Sequence, residues 1–198
     1  GDNVLNKVLV TGPRGVGKST VLTQAVMHAR LSGWLCLFVP NGWDHVQSGA
    51  YVEPVRGSKG IYDNALMSSA LLRDFYNAHK EQLESINVSD STVFNKYEKY
   101  LAAFTDGWNR AQQVKGREGL NFIQMRELIL EEEFPNEDNL DESILSEYNF
   151  LEAEQKSLAD LLLLGIAFRD NAGSIVADIV HELKNLDTVP VLIAVDQY

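Results

Sequence analysis

Three short runs of apolar and branched residues stand out in the chain, and each is followed by turn-forming or polar residues. They are Lys7–Thr11, Trp34–Val39 and Val191–Val195, and the pattern predicts a buried strand for each. Between the first two runs, Ser19–Ser32 carries apolar residues at helical spacing and is followed by Gly33, which predicts a helix. Strand, helix and strand within about 40 residues form a βαβ unit, so we expect a parallel sheet with a right-handed crossover.

The middle of the chain shows little strand signal. Residues 40–60 contain several Gly and Pro residues and are predicted as loop, whereas helical periodicity predicts helices over 64–85, 92–115, 120–133, 142–168 and 173–186. The longest apolar run, Leu161–Phe168, is too short to cross a bilayer and is interpreted as the buried side of a helix. We therefore predict an α/β protein with a strand–helix–strand core at 1–60, a helical insertion at 61–187 and a final strand at 188–198.

Acidic residues are unevenly distributed along the chain. The chain has 198 residues, of which 45% are hydrophobic, and its formal net charge is −11; these values are typical of a packed protein and exclude a disordered one. Residues 131–160 alone hold eleven acidic residues and one basic residue, so this segment is expected to face solvent or a basic protein. The single cysteine, Cys36, excludes a disulfide framework and a cysteine-based zinc site.

The turn after the first predicted strand contains a phosphate-binding pattern. Residues 12–19, which we call the phosphate loop, read Gly-Pro-Arg-Gly-Val-Gly-Lys-Ser and match G-x-x-x-x-G-K-[ST]. Glycines allow the backbone to turn its N–H groups toward an anion, and the following helix directs its positive end at the same point. Lys18 can bridge the β and γ phosphates of a nucleotide, and the Ser19 hydroxyl can ligate Mg²⁺.

A carboxylate follows the last predicted strand. In proteins with a phosphate loop, an aspartate in this position holds Mg²⁺, usually through water, so Asp196 is the candidate metal residue; an ordinary strand-ending aspartate is the alternative. The next residue is Gln197, and an amide can orient water but cannot accept a proton as a base. We therefore expect slow hydrolysis or none without help.

Other suggestive patterns are interpreted as structural. Asn95–Glu98 resembles the guanine-reading N-K-x-D motif, but it ends in Glu and precedes the Asp196 strand. The four histidines have no metal-ligand spacing. The aromatic residues at helical spacing fit a hydrophobic core better than a base-stacking platform; they are Tyr97, Tyr100, Phe104 and Trp108.

An ordered set of stretches resembles the death-associated protein three family of mitochondrial small-subunit ribosomal proteins. The set comprises Leu9–Ser19, Gly33–Asn41, Tyr62–Asn64 with Leu71–Phe75, and Val191–Tyr198, about a third of the chain. The resemblance implies a P-loop GTPase-like fold of the AAA-related class, GTP or GDP (alternatively ATP) with Mg²⁺, and a position in the mitochondrial matrix on the ribosome. It also implies contacts with ribosomal RNA and neighbouring ribosomal proteins, and none with a membrane.

By position, the resemblance assigns nucleotide binding to the phosphate loop and the residue after it, and the metal to Ser19 and Asp196. The nucleotide-binding residues would be Gly12, Pro13, Arg14, Gly15, Val16, Gly17, Lys18, Ser19 and Thr20. In the AAA-related arrangement a further strand separates the phosphate-loop strand from the Asp196 strand. We therefore expect that strand to come from sequence after Tyr198 or from a partner.

Two other functions use the same phosphate loop. A regulatory ATPase of the AAA-like or signal-transduction class has the same motifs, and composition does not distinguish it from a ribosomal protein; the family resemblance does. A small-molecule kinase would need arginines in a lid to clamp the phosphates, and arginines are sparse between residues 61 and 187. The favoured function is a ribosomal component that holds a nucleotide with little turnover.

Overall fold

The computed structural model describes residues 7–47, 53–54, 62–97, 102, 113 and 157–197. Its helices are α1 (Lys18–Leu31), α2 (Gly42–Gln47), α3 (Ala65–Ser85), α4 (Leu158–Ala167) and α5 (Ala172–Asn185), with 3₁₀ turns at Ser91–Lys96 and Arg169–Asn171. Its strands are β1 (Leu35–Val39), β2 (Glu53–Pro54), β3 (Tyr62–Asp63) and β4 (Val191–Val195). Within these residues, no helix has both the length and the hydrophobicity needed to cross a membrane.

A pair of parallel strands forms the centre of the fold. β1 pairs with β4 in a register that runs from Leu35 opposite Val191 to Val39 opposite Val195. α1 covers one face of the pair through a small cluster of Val26, Ala29, Cys36 and Ala194. The other face, with Leu35 and Leu37, joins the core formed by α3, α4 and α5. The described part of the chain is therefore an α/β arrangement in which the parallel pair β1–β4 lies between helical layers.

The helices of the second layer form the largest core. Leu161–Phe168 are all buried, which confirms that this apolar run lies inside the protein. Ser157 begins α4 with a capping box, in which its side chain accepts from the Asp160 N–H and the Asp160 carboxylate accepts from the Ser157 N–H. The helix predicted over 142–168 ends within one residue of the observed end, but it is wrong at Ser157, where the chain is extended and α4 begins; residues 142–156 lie outside the described residues.

Three other helix predictions agree with the structure to within one residue at each end. They are 19–32, 64–85 and 173–186, observed as α1, α3 and α5. Asn64 ends the preceding turn and caps α3 by accepting a hydrogen bond from the Met67 N–H. The helix predicted over 92–115 begins instead as a 3₁₀ turn at 91–96. Most of its remainder, the helix predicted over 120–133 and the acidic segment up to residue 156 lie outside the described residues.

The first predicted strand is a clear error. Lys7–Thr11 forms no strand, and the side chains of Val8 and Leu9 are 86% and 81% exposed. The predicted βαβ unit is therefore absent, and α1 links the phosphate loop to β1 without a strand before it. The physical reason is that a strand needs a neighbour to take its backbone hydrogen bonds, and the described residues place no strand beside this run. The loop predicted over 40–60 contains a short helix, α2, and the strand β2, which pairs antiparallel with β3 just after it.

Candidate nucleotide site

The phosphate loop has the backbone shape that its glycines allow. Gly12, Gly15 and Gly17 have φ angles of 148°, 85° and 89°, which side-chain-bearing residues rarely adopt. A Cβ on Gly12 would also lie 3.2 Å from a methyl group of Val16. The three glycines therefore let the chain wrap around a centre within eight residues and continue directly into α1.

Lys18 lies at the centre of this loop. Its ammonium donates hydrogen bonds to the carbonyl oxygens of Gly12 and Pro13, at 2.8 Å each. Because Lys18 is the first residue of α1, its side chain folds back over the loop that precedes it. The positive charge is therefore held where the loop closes, although neither carbonyl partner carries a full negative charge.

The start of α1 presents backbone donors that no side chain caps. Gly17, at the N-cap, has no side chain to accept a hydrogen bond, and the first turn contains no acidic residue. The first helical bond runs from the Val21 N–H to the Gly17 carbonyl at 3.0 Å. Ser19 and Thr20 are exposed beside these donors. A helix end without a cap or an acidic neighbour retains its partial positive charge, which favours an anion.

The topology brings Asp196 to the same edge of the sheet as the phosphate loop. α1 spans about 21 Å at 1.5 Å per residue and returns through a short turn at 32–34 into β1, so its first residue lies over the carboxyl end of β1. β4 is parallel to β1, and Val39 is opposite Val195. Asp196 directly follows β4 and therefore lies at the edge where α1 begins.

The alternation of side chains along β4, if continued by one residue, puts Asp196 on the face of the sheet that packs against α1. Leu192 and Ala194 of β4 belong to the cluster packed under α1, and side chains two residues apart in a strand share a face. Asp196 is the next residue in that series. Its Oδ1 accepts a hydrogen bond from the Gln197 N–H at 2.8 Å, and it is partly exposed, so the carboxylate can still bind through its other oxygen.

The backbone around Asp196 is tied to the start of α2. The Asp196 N–H donates to the Val39 carbonyl at 2.9 Å, and the Gly42 N–H donates to the Asp196 carbonyl at 2.7 Å. A Cβ on Gly42 would lie 3.0 Å from a Val195 methyl group and 3.2 Å from the Asp196 carbonyl oxygen. Only glycine fits this approach without a shift. The sequence analysis did not predict this contact. Gly42, two residues after Pro40, was the feature that could have indicated it.

Gln197 adopts the left-handed conformation, with a φ of 55°. Among the described residues it is the one non-glycine residue with a positive φ. Such a backbone costs about 1–2 kcal/mol for a residue with a side chain. The side chain of Gln197 is exposed, directly beside the predicted metal residue.

The histidines and Tyr97, which were interpreted as structural, differ in burial where the structure describes them. His79 is buried and hydrogen bonded, and His28 and His181 are exposed. Tyr97 is buried and donates to Asp178 at 2.8 Å; burial, followed by Asp178, raises the pKa of Tyr97 well above its usual range. Within the described ranges, no group of three or more His, Cys, Asp or Glu side chains lies close enough to bind a metal.

Comparison with known proteins returned one family. The family model described as mitochondrial ribosomal death-associated protein 3 matches residues 2–198. No curated protein and no solved structure matches the chain significantly. The match includes the phosphate loop, both parallel strands and Asp196.

Proposed function

The chain belongs to the mitochondrial ribosomal death-associated protein 3 family, and on that basis we propose that it holds a guanine nucleotide and Mg²⁺ in the phosphate loop. It is a ribosomal protein of the mitochondrion. In the proposal it belongs to the small subunit in the matrix, contacts ribosomal RNA and neighbouring proteins, and turns its nucleotide over slowly or not at all.

The observation that carries this proposal is the closed loop around the Lys18 ammonium. The ammonium lies 2.8 Å from two carbonyl oxygens, which are neutral partners. Hydrogen bonds from an ammonium to a phosphate are stronger than those to a neutral carbonyl. A polyphosphate that enters the loop would therefore attract Lys18 from Gly12 and Pro13, while the uncapped N–H groups of α1 bind the same anion.

Ser19 and Asp196 fit the metal that accompanies such a nucleotide. Mg²⁺ prefers oxygen ligands, keeps several waters and usually takes one or two protein groups with the substrate phosphates. Ser19 is exposed in the first turn of α1, and Asp196 directly follows β4, at the edge of the sheet where the topology places the start of α1. In this proposal Ser19 ligates the ion directly and Asp196 holds its water ligands, so the ion neutralises charge on the phosphates.

Gln197 accounts for the low turnover in the proposal. It directly follows Asp196 in the sequence, in the position where many ATPases with a phosphate loop have a glutamate base. A carboxamide can hold water by hydrogen bonds but takes no proton from it. The guanine preference and the ribosomal contacts rest on the family resemblance.

Nucleotide binding by the purified chain tests the proposal. We expect Lys18→Ala to weaken Mg²⁺–GTP and Mg²⁺–GDP binding about 10- to 100-fold, because a charge-assisted hydrogen bond contributes about 1.5–3 kcal/mol. Lys184→Ala, at an exposed lysine in the last turn of α5, is the matched control and should bind as the wild type does. Unchanged affinity in Lys18→Ala would contradict the proposal.

Turnover distinguishes the ribosomal protein from the regulatory ATPase. We expect GTP hydrolysis by the wild type to stay far below about 1 s⁻¹, a rate ordinary for an enzyme, and Gln197→Glu to raise it by supplying a base. ATP turnover at enzymatic rates in the wild type would favour the regulatory ATPase. Competition between GTP and ATP in the binding assay gives the base preference.

A further inference from the structure

The two edges of β1 have different hydrogen-bond partners. The Leu35 N–H donates to the Pro190 carbonyl at 3.0 Å, toward β4. In a strand, successive N–H groups point to opposite edges, and the Cys36 N–H accordingly points away from β4. It donates to Nε2 of His79 at 3.1 Å. A side chain of α3 therefore occupies a position where a neighbouring strand would supply a carbonyl oxygen.

α3 is distorted at the residue that makes this bond. His79 has φ −139° and ψ 19°, which are not helical, within an otherwise continuous 21-residue helix. Its side chain is 6% exposed, and its ring lies 5.4 Å from the ring of Phe75. The kink therefore coincides with the residue that bonds the strand edge, and α3 departs from helical geometry there.

A second hydrogen bond fixes which nitrogen of the neutral ring carries the proton. Because Nε2 accepts from Cys36, the proton of the neutral ring is on Nδ1, which lies 3.0 Å from the Gln82 side-chain oxygen. Gln82 in turn donates to the Gly33 carbonyl at 3.0 Å, in the turn between α1 and β1. His79 and Gln82 thus connect α3 to both the strand and the turn that precedes it.

We propose that His79 is a proton-sensitive latch, which closes the outer edge of β1 while its imidazole is neutral and releases that edge when the ring is protonated. A protonated ring carries a hydrogen on Nε2, so two donors would face each other at Cys36. The groups around the ring oppose the added charge. Arg30 of α1 is cationic, the thiol of Cys36 on β1 is buried and neutral, and Phe75 of α3 is apolar.

The direction of the pH effect follows from burial. Burial lowers the pKa of His79 from its ordinary 6.5, and the Arg30 charge lowers it further, while the hydrogen bond with the Gln82 side-chain oxygen opposes this lowering. The unfolded chain therefore binds a proton at a higher pH than the folded chain does. Well above pH 6.5, His79 contributes nothing to the pH dependence of the free energy of unfolding. Below that value the free energy of unfolding falls, because unfolding takes up at most one proton per molecule at this residue.

Amide hydrogen exchange tests the latch directly. We expect the protection factor of the Cys36 amide, corrected for intrinsic pH effects, to fall between pH 7.5 and pH 5. The Leu35 amide, which bonds to Pro190 on the other edge, is the internal control and should keep its protection. If both amides lose protection together, the edge does not open on its own and the proposal is overturned.

Unfolding experiments with variants give the second test. His79→Gln supplies an acceptor that does not titrate, so its urea-unfolding free energy should vary less with pH than that of the wild type, whose unfolding constant rises up to about tenfold per pH unit below 6.5. His28→Gln removes an exposed histidine of α1 and should keep the wild-type dependence. If His79→Gln retains the full pH dependence, another group is responsible and the latch is excluded.

Discussion

The two helical layers that enclose the β1–β4 sheet differ greatly in how firmly they are packed. Among the described residues, the layer of α3, α4 and α5 shares a core cluster of 24 buried hydrophobic residues. The cluster under α1 on the other face contains four. The layer with the larger core holds the scaffold together, and the layer with the smaller one contains the phosphate loop.

This difference agrees with the general distribution of stability in binding proteins. Elements that bind ligands usually have the lower local stability, because they must rearrange around the ligand. α1 leaves Val21 and Met27 more than half exposed, so these two apolar side chains are not covered by the described residues. The phosphate-loop layer therefore depends more on what binds there than the helical layer does.

A pair of leucine substitutions, one in each helical layer, should give the largest difference in the free energy of unfolding. Leu162 in α4 is fully buried, and Leu31 in α1 is 86% exposed. Leu162→Ala should lower the free energy of unfolding by about 2–5 kcal/mol through lost burial and a cavity, whereas Leu31→Ala should change it by less than about 0.5 kcal/mol. Urea unfolding followed by circular dichroism measures both. Similar losses for the two variants would show that the layers are equally packed in solution.

Nucleotide addition should change the stability of the phosphate-loop layer. Without ligand, we expect amides of α1 to exchange faster than those of α4, because fewer buried contacts hold α1. With Mg²⁺–GDP at 100 times its dissociation constant, binding should contribute about 2.7 kcal/mol and slow exchange in α1 about 100-fold. Hydrogen-exchange mass spectrometry reads this effect, and Lys18→Ala should lose most of it. Protection that is equal in the wild type and Lys18→Ala would mean that the ligand binds elsewhere.

Local patterns in the sequence predicted most of the elements correctly. The helical periodicity of α3 and α5 and the apolar runs of β1 and β4 each depend on residues that are neighbours in the chain. The glycine angles of the phosphate loop could likewise be expected from the motif, because a turn around an anion needs them at fixed spacing. Boundaries shifted by one residue where caps decide them, as Asn64 does for α3.

Features that depend on distant residues were not predictable in the same way. Lys7–Thr11 has the same apolar signature as Val191–Val195, yet the second forms a strand and the first does not, because among the described residues only the second has a partner strand beside it. The direct pairing of β1 with β4 joins residues more than 150 positions apart and has no signature in either strand alone. The Gly42 contact with Asp196 depends on that pairing, and the kink at His79 accompanies a hydrogen bond to Cys36, 43 positions earlier in the chain, so both required the structure.

Gln197→Gly gives the smallest effect and tests whether strain is concentrated on the phosphate-loop side. Glycine relieves the left-handed backbone, worth about 1–2 kcal/mol, but the greater entropy of the unfolded chain costs about 0.5–1 kcal/mol, so the net gain should lie between about 0 and 1.5 kcal/mol. Gln24→Gly, at an exposed position of α1 with ordinary helical geometry, is the matched control and should lose about 1 kcal/mol. A gain for Gln197→Gly means that the wild type retains a strained residue next to Asp196, which is expected when a side chain is kept for its position at a site. A loss similar to that of Gln24→Gly would show that the backbone at Gln197 is relaxed in solution.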